Sequence, residues 1–278
     1  MILSPIEQSI KKKIESAGVP LKDWDISINY GIKTGFNDAF IISGEKREEI
    51  LNNCKTKEER KKTDELIRPI LRGRDIKRFS YTWADLWLIY IPWHFPLQFD
   101  QTIQGASKKA EDEFQKQYPS VYAHLLSYKK ELSARNKAET GIRYEWYAMQ
   151  RWGSNYWDDF NKPKLVYPET TQGAFFAYDE DGIYIDKTCF MMTGKDKKTL
   201  KYLQKTLSSR LFEFAYKSIF SSIELGQNGY QYNKHALIKL PIINKVIDLP
   251  NNENEINNAI FQLYNLNAKE IELVNTHK

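Results

Sequence analysis

Two short segments concentrate the side chains that could hold an anion. In residues 31–40, Gly31 and Gly35 bracket Lys33 and Thr34, Asn37 lies just beyond, and the apolar run Ala39-Phe40-Ile41-Ile42 follows. Glycine permits close backbone approach and positive φ, so amides, an ammonium and a hydroxyl can converge on one phosphate-like group. In residues 70–79, Arg72, Arg74, Lys77 and Arg78 surround Gly73, with Asp75 as the only counter-charge. Lys33, Thr34, Gly35, Arg72, Gly73, Arg74, Lys77 and Arg78 are therefore candidates for facing phosphate groups. Asn37 either joins them or caps a turn. Each segment also has an ordinary reading, a turn before a strand for the first and a solvated charged face for the second. The first is not a Walker loop, because the GxxxxGK[ST] spacing is missing.

Catalytic chemistry is hard to assemble from the rest of the chain. Glu59-Arg60-Lys61 matches the Glu-x-Lys string of metal-dependent nucleases, but it sits in a charged helical insert. His94, His124, His235 and His277 are scattered, without the spacing of a metal site. Cys54 and Cys189 are too few for a disulfide framework or a zinc knuckle, and Cys189 reads as a small buried hydrophobe. No catalytic residue and no metal ligand is assigned. The 278 residues carry a net charge of +5, which permits nucleic-acid binding without requiring it. No secretory segment or apolar run of transmembrane length appears, so no membrane partner is expected and the chain reads as cytoplasmic.

The elements that must position these segments alternate between helix and strand. Ser4, Pro5 and the repeat Ile6, Ile10, Ile14 predict a helix over 5–17, with the narrow apolar stripe of a linker. A strand over 24–30 leads into the first segment. Two helices, 45–52 and 57–67, break near Asn53-Cys54 and separate it from the second. A strand over 83–92 and helices within 107–134, interrupted at Pro119, come next, with Phe114, Val121, Leu125 and Leu132 facing inward. Trp146, Tyr147, Trp152, Tyr156, Trp157 and Phe160 crowd around Arg151. Short strands follow at 164–169, in a hairpin of 175–178 and 183–185, and at 188–193. Leu200, Leu203, Leu207, Leu211 and Phe214 predict one helix over 198–220. The last helix spans 251–274, with Ile256, Ile260, Leu263, Ile271 and Val274 inward. The class is α+β: a twisted, mostly antiparallel sheet across 24–193 with inserted helices, and C-terminal helices packing against it. The divisions expected are a linker helix at 1–20, a recognition domain at 21–245 and a C-terminal helix at 246–278.

In their order and spacing, several segments resemble the TaqI-like C-terminal specificity domain. That family is the target-recognition region of adenine-specific DNA methyltransferases and of fused restriction–methylation enzymes. Its first signature is similar to Gly31-Ile32-Lys33-Thr34-Gly35, Asn37 and Ala39-Phe40. Its second is similar to Arg68-Pro69-Ile70 with Leu71-Arg72-Gly73 and Asp75-Ile76-Lys77-Arg78. Further matches are Trp152, Tyr156, Phe160, Pro163-Lys164, Val166-Tyr167-Pro168-Glu169, Lys187-Thr188-Cys189-Phe190, Thr193-Gly194 and the closing Leu240-Pro241-Ile242. The resemblance implies sequence-specific recognition of double-stranded DNA in a restriction–modification system. It also implies a methyltransferase domain or subunit as partner. S-adenosylmethionine would then belong to that partner or parent enzyme, with Mg if a nuclease is fused, and no cofactor to this chain. Neither a glycine-rich methyl-donor loop nor an Asn-Pro-Pro-Tyr tetrapeptide is present. Base readout would fall to polar and aromatic loop residues, for which Arg151, Trp152, Gln172, Asn228, Tyr230 and Gln231 are the candidates. An excised part of a longer enzyme and a separate specificity subunit both fit. The rival classes are a carbohydrate- or protein-binding module using the aromatics of 146–157, and a stand-alone nuclease.

Overall fold

Ser4 opens the first helix, α1 (Pro5–Ala17), through a capping box with Glu7. The computed structural model describes residues 3–220, 224–225 and 229–277. After α1 come β1 (Val19–Pro20), β2 (Ile26–Tyr30), a helical turn α2 (Asn37–Phe40) and β3 (Ile41–Ser43). The apolar run 39–42 thus enters the sheet only at Ile41, since Ala39 and Phe40 are buried on the helical turn. The charged insert forms α3 (Gly44–Asn52) and α4 (Lys57–Leu66), capped by Ser43 and Thr56. Next are β4 (Ile67–Leu71), β5 (Leu86–Ile89), α5 (Lys108–Gln117), α6 (Pro119–Leu126) and α7 (Lys129–Ser133). Phe114, Val121, Leu125 and Leu132 are fully buried, as their spacing predicts.

The middle of the chain supplies β6 (Lys164–Pro168), β7 (Thr170–Thr171), β8 (Ala177–Asp179), β9 (Tyr184–Ile185) and β10 (Cys189–Gly194). Then follow α8 (Lys197–Leu207), α9 (Arg210–Ala215), β11 (Glu224–Leu225), β12 (Gly229–Gln231), α10 (Lys234–Leu237) and β13 (Pro241–Ile242). The described chain ends with α11 (Glu253–Leu263) and α12 (Ala268–Thr276).

The strands form separate sheets, not the single sheet expected. One has the order β2-β10-β6-β8 and another β3-β5-β4-β9; β11-β12-β7 and the pair β1-β13 complete them. Every pairing of named strands is antiparallel except β4 with β9. The expected hairpin of 175–185 is absent as well, its two strands lying in different sheets. Asp179 turns inward and accepts from Ile183 N at 3.1 Å, so the chain wraps around its carboxylate. β8 stays on β6 while β9 joins β4.

β6 and β10 are buried along their length because each face meets a different core. Leu165, Tyr167, Phe190 and Met192 point into one cluster with α1, α8, α9 and α11; Val166, Cys189 and Met191 point into the other, with β3, β4, β5 and α5–α7. The strand period of two therefore divides one sequence between two interiors. Lys164, at the start of β6, is completely buried, and its ammonium lies 2.6 Å from Asp179 Oδ2 and donates to Phe160 O at 2.7 Å. Burial pulls the Lys164 ammonium below the usual lysine range, with Asp179 opposing that shift.

Both long C-terminal helices expected from periodicity are broken. The stripe Leu200–Phe214 is buried, but Ser209 caps a new helix by accepting from Phe212 N, and a π-helical turn, Tyr216–Phe220, continues α9. Asn265, at φ +53°, interrupts 251–274, and Asn267 with Glu270 restarts the helix with a capping box. The stripe of α1 is covered from within the chain. Ile10 and Ile14 are buried, Ser9 Oγ donates to Glu270 Oε1 at 2.7 Å, and Lys13 Nζ meets Glu270 Oε2 at 2.6 Å.

Candidate nucleic-acid interface

Residues 31–35 leave β2 as an extended edge in which Ile32 and Thr34 are buried and Lys33 is exposed. A Cβ on Gly31 would sit 2.0 Å from the carbonyl oxygen of Asp186, so only glycine lets these two backbones cross. Lys33 and Arg151 exchange backbone hydrogen bonds of 3.0 and 2.9 Å. Gly35 takes φ +82°. Beneath this turn lies Arg135, a residue not singled out in the sequence. It donates to the carbonyls of Thr34 (2.7 Å), Trp146 (2.6 Å), Ala148 (2.8 Å) and Leu132 (2.9 Å). Burial pulls its guanidinium down to about 10, leaving it charged at neutral pH. The Thr34 hydroxyl points inward and donates to Asn37 Oδ1 at 2.6 Å. Asn37 therefore ties the turn while remaining exposed.

The second segment separates into two sets. Arg72 forks onto Asp75 through Nε and Nη2, both at 3.0 Å, and Gly73 N donates to Thr188 Oγ1 at 2.9 Å. Arg74 and Lys77 are exposed, and Lys77 Nζ donates to Arg74 O at 3.1 Å. Arg78 turns the other way. Its guanidinium donates to Ser208 O and to Glu213, with Glu253 at 3.8 Å, so it ties the loop to α9 and α11. The carboxyl of Glu213 is opposed by burial, but Lys217 and Arg78 together hold it below the usual range.

Asn37, Arg72, Gly73, Arg74, Lys77 and Gln172 line one open cleft of about 910 Å³. Lys187, Thr188, Thr170 and Glu169 complete its wall, and sequence reasoning did not nominate them as site residues. Lys187 was legible only as part of a strand-like motif; it is in fact exposed on the turn before β10. Under it, burial lifts the carboxyl of Asp186, which accepts from Thr188 N at 2.9 Å. The other readout candidates scatter. Gln231 stands beside the cleft on β12 and donates to Glu169 Oε1 at 3.1 Å. Tyr230 is buried opposite Thr171, with the Lys217 ammonium 4.3 Å over its ring. Arg151 is held by Glu139 outside the cleft lining. Trp152 is half-buried against the first core, and Asn228 lies outside the described residues.

The residues behind the rival readings have different surroundings. Within 146–157, Trp146 and Tyr147 belong to the interior, while Trp157 is exposed, with its ring 5.8 Å from that of exposed Phe99. Glu59, from the Glu-x-Lys string, is buried and accepts from Ser120 N (3.1 Å), Ser120 Oγ (2.7 Å) and Lys55 N (2.8 Å). It fastens α4 to the start of α6. Among the described residues no cluster of metal-ligating side chains occurs, and no helix is long and apolar enough to cross a membrane.

Comparison with known proteins agrees with this architecture. The fold is similar to that in the crystal structure of the type IIG restriction endonuclease BpuSI, with TM-score 0.52 and 14% identity over 99% of this chain. It is also similar to the type IIL restriction-modification enzyme MmeI in complex with DNA, with TM-score 0.53 and 12% identity over 93% of this chain. The chain spans only 28% and 36% of those two chains. The family model of the TaqI-like C-terminal specificity domain matches residues 68–242, beginning at Arg68 and leaving the 31–40 segment ahead of it. Since that match takes in more than half of the sequence and carries the cleft's basic loop and strands, the chain belongs to the TaqI-like C-terminal specificity domain family.

Proposed function

We propose that this chain is the DNA target-recognition module of a restriction–modification enzyme and performs no catalysis itself. The observation that carries the reading is the cleft whose lining brings Arg74, Lys77 and Lys187 together with Gln172 and Asn37. Cations suit phosphates, which position a duplex, and carboxamides suit base edges, which specify it. Gln172 is the leading reader, since a Gln side chain can pair with the N6 and N7 edge of adenine. Lys33, Gly35, Arg74 and Lys77 serve the backbone. Thr34, Arg72 and Gly73 act indirectly, by holding Asn37 and the basic loop in place. A methyltransferase domain in the same enzyme or a partner subunit would flip an adenine and methylate N6 with S-adenosylmethionine. Flipping costs a few kcal/mol, which contacts made by this module help offset. Mg would be needed only by a fused nuclease.

The test is to bind the purified chain to a pool of randomised duplex DNA at low and moderate salt, and to sequence what is retained. Enrichment of one short site, with retention falling as salt rises, is the expected result. No retention at low salt refutes the reading.

A further inference from the structure

Outside the cleft lies a second cationic feature, built around one carboxylate. Glu139 accepts from Arg143 Nη1 at 3.0 Å, from Arg151 Nη1 at 3.0 Å and from Arg151 Nη2 at 2.9 Å. Asn136 Nδ2 steadies it at 2.7 Å. The acid is recessed, its side chain 10% exposed, while those of Arg143 and Arg151 are 59% and 50% exposed. Both guanidinium carbons stand over the ring of Trp93, at 5.4 and 5.9 Å. The Glu139 carboxyl is held below the usual range chiefly by Arg151, so the trio carries a net positive charge at neutral pH.

An exposed ion pair of this kind adds little to stability. What the arrangement does is fix two planar donors. A guanidinium has five N–H groups; Arg143 commits one nitrogen and Arg151 two, to Glu139 and to the Gln150 carbonyl. The rest remain available to a ligand, and the side chains have already lost the freedom that binding would otherwise remove. The ligand's class follows from the donors and from position. Ile32 bridges to Asp186 in the cleft wall, and Lys33 bridges to Arg151. At about 4.8 Å per strand spacing, the Arg151 backbone lies about 10 Å from that wall, with the exposed Lys33 between.

We propose that Arg143 and Arg151, held by Glu139 over Trp93, form a second backbone clamp that takes a phosphodiester of the duplex in the cleft. This rests on the DNA-recognition reading, and it assigns Arg151 to the backbone in place of base readout. Each phosphate contact contributes about 0.9 to the slope of log K against log salt. Arg143→Ala should therefore lower the slope by about one and leave the enriched sequence unchanged. Between 50 and 200 mM salt its affinity should fall about 3.5-fold less than that of the parent chain. Arg143→Lys should restore the slope, which a merely structural role would not require.

Fluorescence anisotropy of the full chain on a labelled duplex reads these values. If the parent binds with a steep salt dependence and Arg143→Ala keeps the full slope, the clamp is wrong and the recognition reading stands. If Arg143→Ala instead changes which sequence is retained, Arg143 reads bases and the clamp is again overturned. If the parent does not bind duplex DNA at low salt, both fall together.

Discussion

Replacing Asp179 by alanine tests what the buried ion pair between β6 and β8 contributes to stability. Asp179 accepts from Lys164 Nζ at 2.6 Å, Ile183 N at 3.1 Å and Tyr81 OH at 3.0 Å, and both members of the ion pair are completely buried. Removing the carboxylate leaves a buried ammonium with carbonyl partners but no counter-charge. Breaking such a pair costs about 3–5 kcal/mol. At about 2 °C per kcal/mol, the low end suited to 278 residues, the melting midpoint should fall by about 6–10 °C. The double substitution Lys164→Met with Asp179→Ala removes the stranded charge and should recover part of that loss. It still leaves Ile183 N and Tyr81 OH without their acceptor, at about 1–3 kcal/mol each. The pH dependence has a definite sign. Lys164 already has a lowered pKa, and losing Asp179 lowers it further, so the unfolded state binds the extra proton and the single variant gains stability as pH rises toward the lysine range. Thermal and urea denaturation followed by circular dichroism reads all three. A single variant melting within 2 °C of the parent, or a double variant no better than the single, would refute the reasoning.

Three other outcomes are expected. Arg74→Ala should weaken binding to every duplex alike and lower the salt slope by about one, measured by anisotropy; an unchanged slope would remove Arg74 from the backbone. Gly31→Ala drives a Cβ into the Asp186 and Ile185 carbonyls, so it should destabilise by about 3 kcal/mol in urea titration, whereas a cost below 1 kcal/mol would mean the crossing can relax. Glu270 is opposed by burial, but Lys13, Asn267 and Ser9 together lower its pKa, so its contribution is present at neutral pH and lost as pH falls below the ordinary carboxylate range. Melts of Glu270→Gln against the parent should therefore converge between pH 7 and pH 3, and a constant gap would count against the tie between α1 and α12.

Periodicity and capping chemistry made much of the fold legible. Ser4 with Pro5 marks the start of α1, and the inward stripe of α5–α7 follows from spacing alone. What periodicity cannot show is a break that keeps the stripe in phase, as at Ser209 and Asn267, where a local cap competes with continuing the helix. Sheet membership was likewise hidden, because Asp179 chooses between hairpin and crossover through Lys164, a partner across the sheet. In the candidate site, basic composition marked Arg74 and Lys77 but could not separate them from Arg78, whose acids come from α9 and α11. Arg135 carried no local signal at all, since its four acceptors are carbonyls that only the folded chain brings together.

The sharing of β10 between the two interiors has a consequence for how the molecule opens. Neither interior can melt alone without stripping the strand that also forms a wall of the other. The amides of Phe190, Met191 and Met192 should therefore exchange with solvent only through complete unfolding, and heat absorption should trace one transition. If the cleft takes a duplex as proposed, the part of the molecule that carries it would not soften independently of the C-terminal helices. Adaptation would be left to the loops at the rim, and discrimination would be decided on a nearly rigid frame.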